Sequence, residues 1–294
     1  MLNWPPGKKR KEAEKEEAPK PLLSAEDREA LGYLERPMET LASSLGPSIE
    51  DGSIGAVIGV QGSGQLPAEM LGGMLDKLYE KRKHPSPFKA FIALSRPTYQ
   101  GETFKKEMVA AVRTWAKRLA PSLDRSKKVL IVDDSLVYGE TIQPVYEAFH
   151  ELGFAVEVAV VSTTRRNPLS IPRPLPPGRE KEELERRSAL WNRVHDIEME
   201  MTGGDLETDR RLKEKADAIR FGELTYKIPL HVGEYAGEMR HIPYNGGTVV
   251  KPREGVDAAP STLTPAAIAA REFLGGIADR IVARYEAGKE KPPA

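Results

Sequence analysis

VLIVDDSLVYGETIQPVYEAF, residues 129–149, sets four apolar residues, two adjacent aspartates, a glycine and a threonine where a strand gives way to a helix. Val129, Ile131 and Val132 are β-branched. A short unbroken apolar run of this kind reads as a strand covered on both faces, as in a parallel sheet between helices. The reading predicts Asp133 and Asp134 at the carboxyl end of that strand, where open α/β sheets bind ligands. From Thr141, a candidate N-cap, Ile142, Val145, Phe149 and Leu152 recur at helical spacing. The loop over 135–140 then opens a helix. Its backbone N–H groups and the positive end of the helix dipole suit a phosphate, so the stretch asks for a ligand carrying both hydroxyls and phosphate.

Working outward, "IGAVIGV" (54–60), "FKAFIAL" (88–94) and "AVEVAVV" (155–161) read as further buried strands, with helical patterns between them. Strands alternating with helices imply βαβ units and a parallel sheet. A helix is expected to begin after Ser24, whose spacing to Asp27 resembles a capping box, and to run toward Leu45. Residues 1–21 are charged and nearly free of apolar side chains, which reads as a disordered tail. The core is expected over 22–164. After Arg165 a Pro-rich break leads into a charged run, and 165–222 reads as a charged helical insertion with too few apolar residues for a core. Over 223–294 the chain returns to the core through "YKIPLHV" and "GGTVVKP". It closes on a helix from Pro265 whose inward stripe is expected to be Ile268, Leu274, Ile277, Ile281 and Tyr285.

The composition narrows the function. In 294 residues, 44 basic and 44 acidic side chains cancel, which speaks against a general nucleic-acid or membrane-surface protein. "GKKRK" near the start is followed at once by acidic residues and reads as part of a solvated tail, so nucleic acid is an unlikely partner. The absence of cysteine removes disulfides, thiol nucleophiles and thiolate metal sites. Five histidines show no ligand spacing. His231 and His241 flank a stretch within reach of an acceptor base, yet read first as ordinary hydrogen-bonded histidines. Trp115 reads as core or subunit-contact filling rather than a stacking platform. No apolar run has the length to span a bilayer and no apolar targeting segment follows the first lysines, so a cytoplasmic location is expected.

Other families also place acidic residues after an apolar strand. A Walker B strand requires a G-x-x-x-x-G-K-[ST] loop, which this chain lacks. A receiver domain needs a later phospho-accepting aspartate and lysine, but here "STTRRNPLS" and the Pro-rich break arrive instead. The glycines at 59, 62 and 64 miss G-x-G-x-x-G, and no acidic residue closes the next strand, which weakens a dinucleotide fold.

The motif "VLIV-DD-SLV-YGET" resembles the phosphoribosyl pyrophosphate signature of the type I phosphoribosyltransferase family, and the resemblance covers 54–162 in the family's order of strands, loops and helices. It implies an α/β fold of the parallel-sheet, three-layer type I phosphoribosyltransferase kind, here with a charged helical insertion. It also implies transfer of a phosphoribosyl group to or from a nitrogenous base, with pyrophosphate as co-product. By that resemblance Asp133 and Asp134 hold the ribose hydroxyls and stabilise charge on the ring. Val137, Tyr138, Gly139, Glu140 and Thr141 surround the 5′-phosphate, and Gln61, Gly62, Ser63 and Gly64 form the pyrophosphate loop. Arg96, Tyr99, Lys105 and Lys106 lie in the flexible loop that closes over the substrate, with Arg96 and Lys105 among the catalytic candidates. Mg2+ travels with the pyrophosphate, with no metal held directly by the protein. The resemblance also favours a homodimer. Tyr138 stands where the family usually has threonine or serine, and Glu140 adds negative charge to the phosphate loop. The alternative is therefore a phosphoribosyl or nucleotide sensor, or a regulatory scaffold, without turnover.

Overall fold

The computed structural model describes residues 23–61, 64–94, 101–136, 141–163, 170–173, 176, 178–201, 205–220, 223, 225–233 and 265–289. The chain begins with α1 (Ala25–Gly32), α2 (Glu35–Ser44) and α3 (Gly46–Glu50). Ser24 and Asp27 form the expected capping box, each side chain accepting from the other's backbone N–H. The single helix expected over 24–45 is divided, and the reason is local. Pro37 has no N–H to return to Tyr33, so it fits in the first turn of a new helix and not in the interior of a long one.

Strands β1 (Ile54–Gln61), β2 (Phe88–Ala93), β3 (Lys128–Leu136), β4 (Val156–Thr163) and β7 (Leu230–Val232) form one sheet in the order β2-β1-β3-β4-β7, and every pairing is parallel. The connecting helices are α4 (Gln65–Arg82), α5 (Gly101–Leu119) and α6 (Ile142–Glu151). Strand side chains alternate between faces, and the apolar residues divide accordingly. Leu130, Val132, Ala159 and Val161 pack with α4 and with α9 (Pro265–Lys289). Val129, Ile131, Val158 and Val160 pack with Met108, Val112 and Trp115 of α5 and Val145 and Phe149 of α6. Trp115 is core, edge-on to Phe149. Gly59 permits α4 to lie close to β1, because a Cβ there would stand 2.7 Å from the Ala68 methyl and 2.6 Å from the Phe91 ring.

"YKIPLHV" is not one strand. Its first part, β6 (Thr225–Lys227), pairs antiparallel with β5 (Ser170–Pro172), and only β7 joins the main sheet. Pro229 separates the two parts and its carbonyl accepts from Val158 N–H at 3.0 Å. Between β5 and β6, α7 (Glu180–Glu200) and α8 (Leu206–Ile219) bury Val194, Ile197 and Ala216 in a cluster of their own. On α9 the inward stripe is Ala270, Leu274, Ile277, Ala278, Ile281 and Val282. Ile268 departs from expectation at 45% exposure, because nine residues at 100° each carry it half a turn away from Ile277. Residues 1–21 and "GGTVVKP" lie outside the described residues. No helix among the described residues is long and apolar enough to cross a membrane.

Candidate functional site

The strand order creates a crevice. From β1 the chain passes through α4 to β2 on one side, then returns through α5 to β3 on the other side. The carboxyl ends of β1 and β3 therefore flank a topological switch point, the position where doubly wound sheets hold their ligands. Pairing between β1 and β3 ends at Gly59 and Val132. Asp133 is the first residue of β3 beyond it.

The strand does not stop there, as the sequence reading had it. Asp133, Ser135 and Leu136 remain paired with Val160, Ser162 and Thr163 of β4, and Thr163 Oγ1 donates to the Leu136 carbonyl at 3.0 Å. Because β4 is long enough to supply partners, the two aspartates lie within β3 and not at its end. On the β1 side, however, strand pairing has already ended at Val132.

Asp133 is 5% exposed. Its Oδ1 accepts from the Asp134 N–H at 2.9 Å, and its Oδ2 accepts from the Thr141 hydroxyl at 3.2 Å. Thr141 occupies the N-cap position of α6, but its side chain makes no cap bond and turns to the carboxylate instead, a correction to the expected cap. Gly64, the N-cap residue of α4, completes the enclosure. A Cβ there would lie 2.6 Å from Asp133 Oδ1 and 2.7 Å from the Val60 carbonyl, so only glycine permits this approach. One buried carboxylate thus sits between the N-terminal ends of two helices. Burial pushes the Asp133 carboxyl well above the usual carboxylate range. The adjacent Asp134 charge adds to the rise, and the Asp134 N–H and Thr141 hydroxyl offset only part of it. Asp134 is partly exposed and accepts from the Ser135 hydroxyl at 3.4 Å.

Of the residues singled out from sequence, Asp133, Asp134, Gly64 and Thr141 come together here. Gln61 ends β1. Lys105 and Lys106 do not stand in a loop: α5 begins at Gly101 and carries both in its second turn, since no proline interrupts the helix formers between Pro97 and Pro121. Lys106 is exposed. Gly62, Ser63, Arg96, Tyr99, Val137, Tyr138, Gly139, Glu140 and His241 lie outside the described residues. Among the described residues no group of three or more His, Cys, Asp or Glu side chains could hold a metal ion.

Two polar assemblies escaped the sequence reading. The first adjoins Gly64. Gln65 opens α4 at 6% exposure and donates to Glu69 Oε1 at 2.9 Å, while Glu69 receives Arg271 of α9, Nε to Oε2 at 2.7 Å. The second lies on the sheet face that carries Leu130, Ala159 and Val161, opposite to the face of Asp133. Glu157 Oε1 receives Lys128 Nζ at 2.8 Å, and Oε2 lies 3.3 Å from His231 Nε2, whose Nδ1 is 2.6 Å from the Ser44 hydroxyl. Burial raises the Glu157 carboxyl, but the hydrogen bonds from His231 and Lys128 outweigh it and hold the group below its ordinary range. The signal for this assembly was the lone glutamate inside "AVEVAVV", since a charge in a buried strand needs partners.

No family model matches the chain, and no curated protein does. Among solved structures, the purine phosphoribosyltransferase from Pyrococcus horikoshii Ot3 is similar at 16% identity, over 45% of this chain and 74% of that one, with a TM-score of 0.28. Likeness at that level decides nothing about what this chain does. Its own geometry defines an α/β protein with a five-stranded parallel sheet and a buried carboxylate at the switch point.

Proposed function

We propose that the crevice binds phosphoribosyl pyrophosphate or a nucleoside monophosphate, and that the protein transfers the phosphoribosyl group to or from a nitrogenous base on a three-layer, type I phosphoribosyltransferase-like fold. The observation that carries the reading is Asp133, buried at the switch point between Gly64 and Thr141. A carboxylate so placed attracts hydroxyl donors, and Asp134 beside it supplies a second acceptor for a vicinal diol. Displacement at the anomeric carbon builds positive charge on the ribose ring, which the same two carboxylates would stabilise. The 5′-phosphate would rest at the start of α6, near Thr141 and residues 137–140, and the pyrophosphate near 61–64, where glycine lets backbone N–H groups approach an anion. Arg96 and Tyr99 would close over the substrate from the segment before α5, with Lys105 and Lys106 carried in the second turn of that helix. Magnesium would arrive with the pyrophosphate and neutralise the leaving group.

Tyr138 favours a second reading, a sensor that binds the ligand without turning it over, because the sequence there has a bulky phenol in place of the threonine or serine usual in the phosphate loop. Calorimetric titration with phosphoribosyl pyrophosphate and magnesium, followed by a screen for pyrophosphate release with purine and pyrimidine bases, separates the two. Release with any base identifies the enzyme. Tight binding with no release for any base identifies the sensor. Failure of wild type and Tyr138→Thr to bind the sugar phosphate or any mononucleotide rejects both. The α7–α8 region, with a buried cluster of its own, is on this reading an insertion whose removal leaves the sheet folded. Loss of cooperative thermal unfolding after its deletion would show it to be part of the core.

A further inference from the structure

Helix α9 is tied to α4 by three ion pairs, Arg271 with Glu69, Asp279 with Lys77 and Glu286 with Arg82. The partners advance together along both helices, with separations of 202, 202 and 204 residues, so the two helices run parallel. Their N-termini lie at the same end, where Gly64 meets Asp133. The first pair differs from the others in what it holds. Asp279 is 64% exposed and Lys77 41%, a surface contact that contributes little. Glu69 is 18% exposed, is engaged side-on by the Arg271 guanidinium through Nε and Nη2, and passes the contact to the buried Gln65 amide. Gln65 is the residue next to Gly64. A chain of charge-assisted hydrogen bonds thus runs from α9 to the side chain of Gln65, which follows in sequence the glycine that encloses Asp133.

We propose that Arg271, Glu69 and Gln65 are positioning residues that hold the first turn of α4, and with it the Gly64 backbone, against Asp133. The C-terminal helix thereby sets the geometry of the ligand crevice. As a ligand-affinity device this rests on the phosphoribosyl reading. As a statement about the Gly64–Asp133 contact it does not. The physical case is one of tolerance. Gly64 has no side chain with which to anchor itself, and the contact it makes leaves no room for a methyl group. Besides the Ala68 N–H, which donates to the Gly64 carbonyl at 3.1 Å, the adjoining Gln65 side chain ties this turn to Glu69, and an amide fixed by an ion-paired carboxylate is held more firmly than one bonded to a neutral acceptor.

The test follows Asp133 by the pH dependence of its carboxyl 13C resonance in the full chain, assigned by its loss in Asp133→Asn, in wild type, Arg271→Met, Gln65→Leu and Lys77→Met. If the chain positions Gly64, Arg271→Met and Gln65→Leu loosen the enclosure and admit water. The midpoint of Asp133 then moves down by about one pH unit, while Lys77→Met leaves it unchanged. Where wild type binds phosphoribosyl pyrophosphate with magnesium, the first two variants should also weaken that binding about tenfold, with Lys77→Met again neutral. An unchanged Asp133 midpoint in Gln65→Leu overturns the proposal, whatever Arg271→Met does, as does an equal movement in Lys77→Met. Should Arg271→Met fail to fold, Glu69→Gln replaces it, since it keeps the shape and removes the charge. Absence of ligand binding in wild type leaves the resonance test intact and counts only against the phosphoribosyl reading.

Discussion

Asp133 and Glu157 are both buried carboxylates on adjacent parallel strands, 5% and 9% exposed, yet their environments push them in opposite directions. Glu157 has a lysine and a histidine, and its acidity is increased. Among the described residues Asp133 has only a hydroxyl and one backbone N–H, with a second carboxylate beside it, and its acidity is reduced. Strand alternation places them on opposite faces of the sheet. The contrast separates two uses of a buried charge. Glu157 completes a network that joins β3, β4, β7 and α2, and its partners are internal. Asp133 meets no cationic partner among the described residues, as expected of a group whose partners come from a ligand.

The largest effect should come from removing charge at each site in turn. Asp133→Asn together with Asp134→Asn should weaken binding of the sugar phosphate a hundredfold or more, roughly the loss of two charge-assisted hydrogen bonds. The unliganded Asp133→Asn protein should nevertheless be more stable at neutral pH than wild type. A neutral amide carries no buried charge, and the Thr141 hydroxyl can rotate to accept from it. Each kcal/mol so relieved raises Tm by roughly 2–4 °C in a protein of this size class. Glu157→Gln should behave in the opposite way, losing about 1–3 kcal/mol because Lys128 is left without its counter-charge, with ligand affinity unchanged. Paired calorimetry and thermal unfolding check both. A fall in Tm for Asp133→Asn comparable to that of Glu157→Gln would make the two carboxylates equivalent and remove the case for a ligand.

The pH dependence of stability sharpens the same contrast without a ligand. Asp133 is raised above its ordinary value of 3.8. Across the window from that value up to the folded one the native state retains a proton that the unfolded chain has released, so stability falls as pH rises. Glu157 is lowered from 4.5. Its contribution is complete above 4.5 and is lost as pH falls through the folded value. Unfolding curves taken at a series of pH values should therefore show Asp133→Asn gaining on wild type with rising pH from about pH 4 upward. The deficit of Glu157→Gln should shrink in acid. Parallel curves at all pH values would show that neither carboxylate is perturbed as described.

The sheet was legible because β1–β4 are built on short apolar runs set between helical repeats; a strand forms on each of those runs, though β3 and β4 run on past them to Leu136 and Thr163. The adjacency of Asp133, Gly64 and Thr141 was legible for a related reason, since the strand ends of a parallel sheet meet at one edge. What escaped detection depends on partners far apart in the chain. Arg271 reaches Glu69 across 202 residues and His231 faces Glu157 across 74, and no local period records either contact. The division of the first helix could have been read from Pro37, and the outward phase of Ile268 from its spacing to Ile277. In both, a local rule was outweighed by the apparent continuity of an apolar pattern.

The smallest effect worth measuring concerns His231. In the neutral form with its proton on Nε2, the imidazole can donate to Glu157 and accept from Ser44, which closes the network without adding charge. Its contact to Glu157, at 3.3 Å, is longer than that of Lys128 at 2.8 Å, and it lies beyond the best range for a hydrogen bond. His231→Gln keeps a donor and an acceptor at similar reach, so it should cost only about 0.5–1 kcal/mol, less than Lys128→Met, which leaves the carboxylate without its permanent counter-charge. Denaturant unfolding of the two variants and of the double variant decides the order. If the histidine change costs as much as the lysine change, Glu157 is held chiefly by the imidazole, and the site opposed to Asp133 is a hydrogen-bonded contact more than an ion pair.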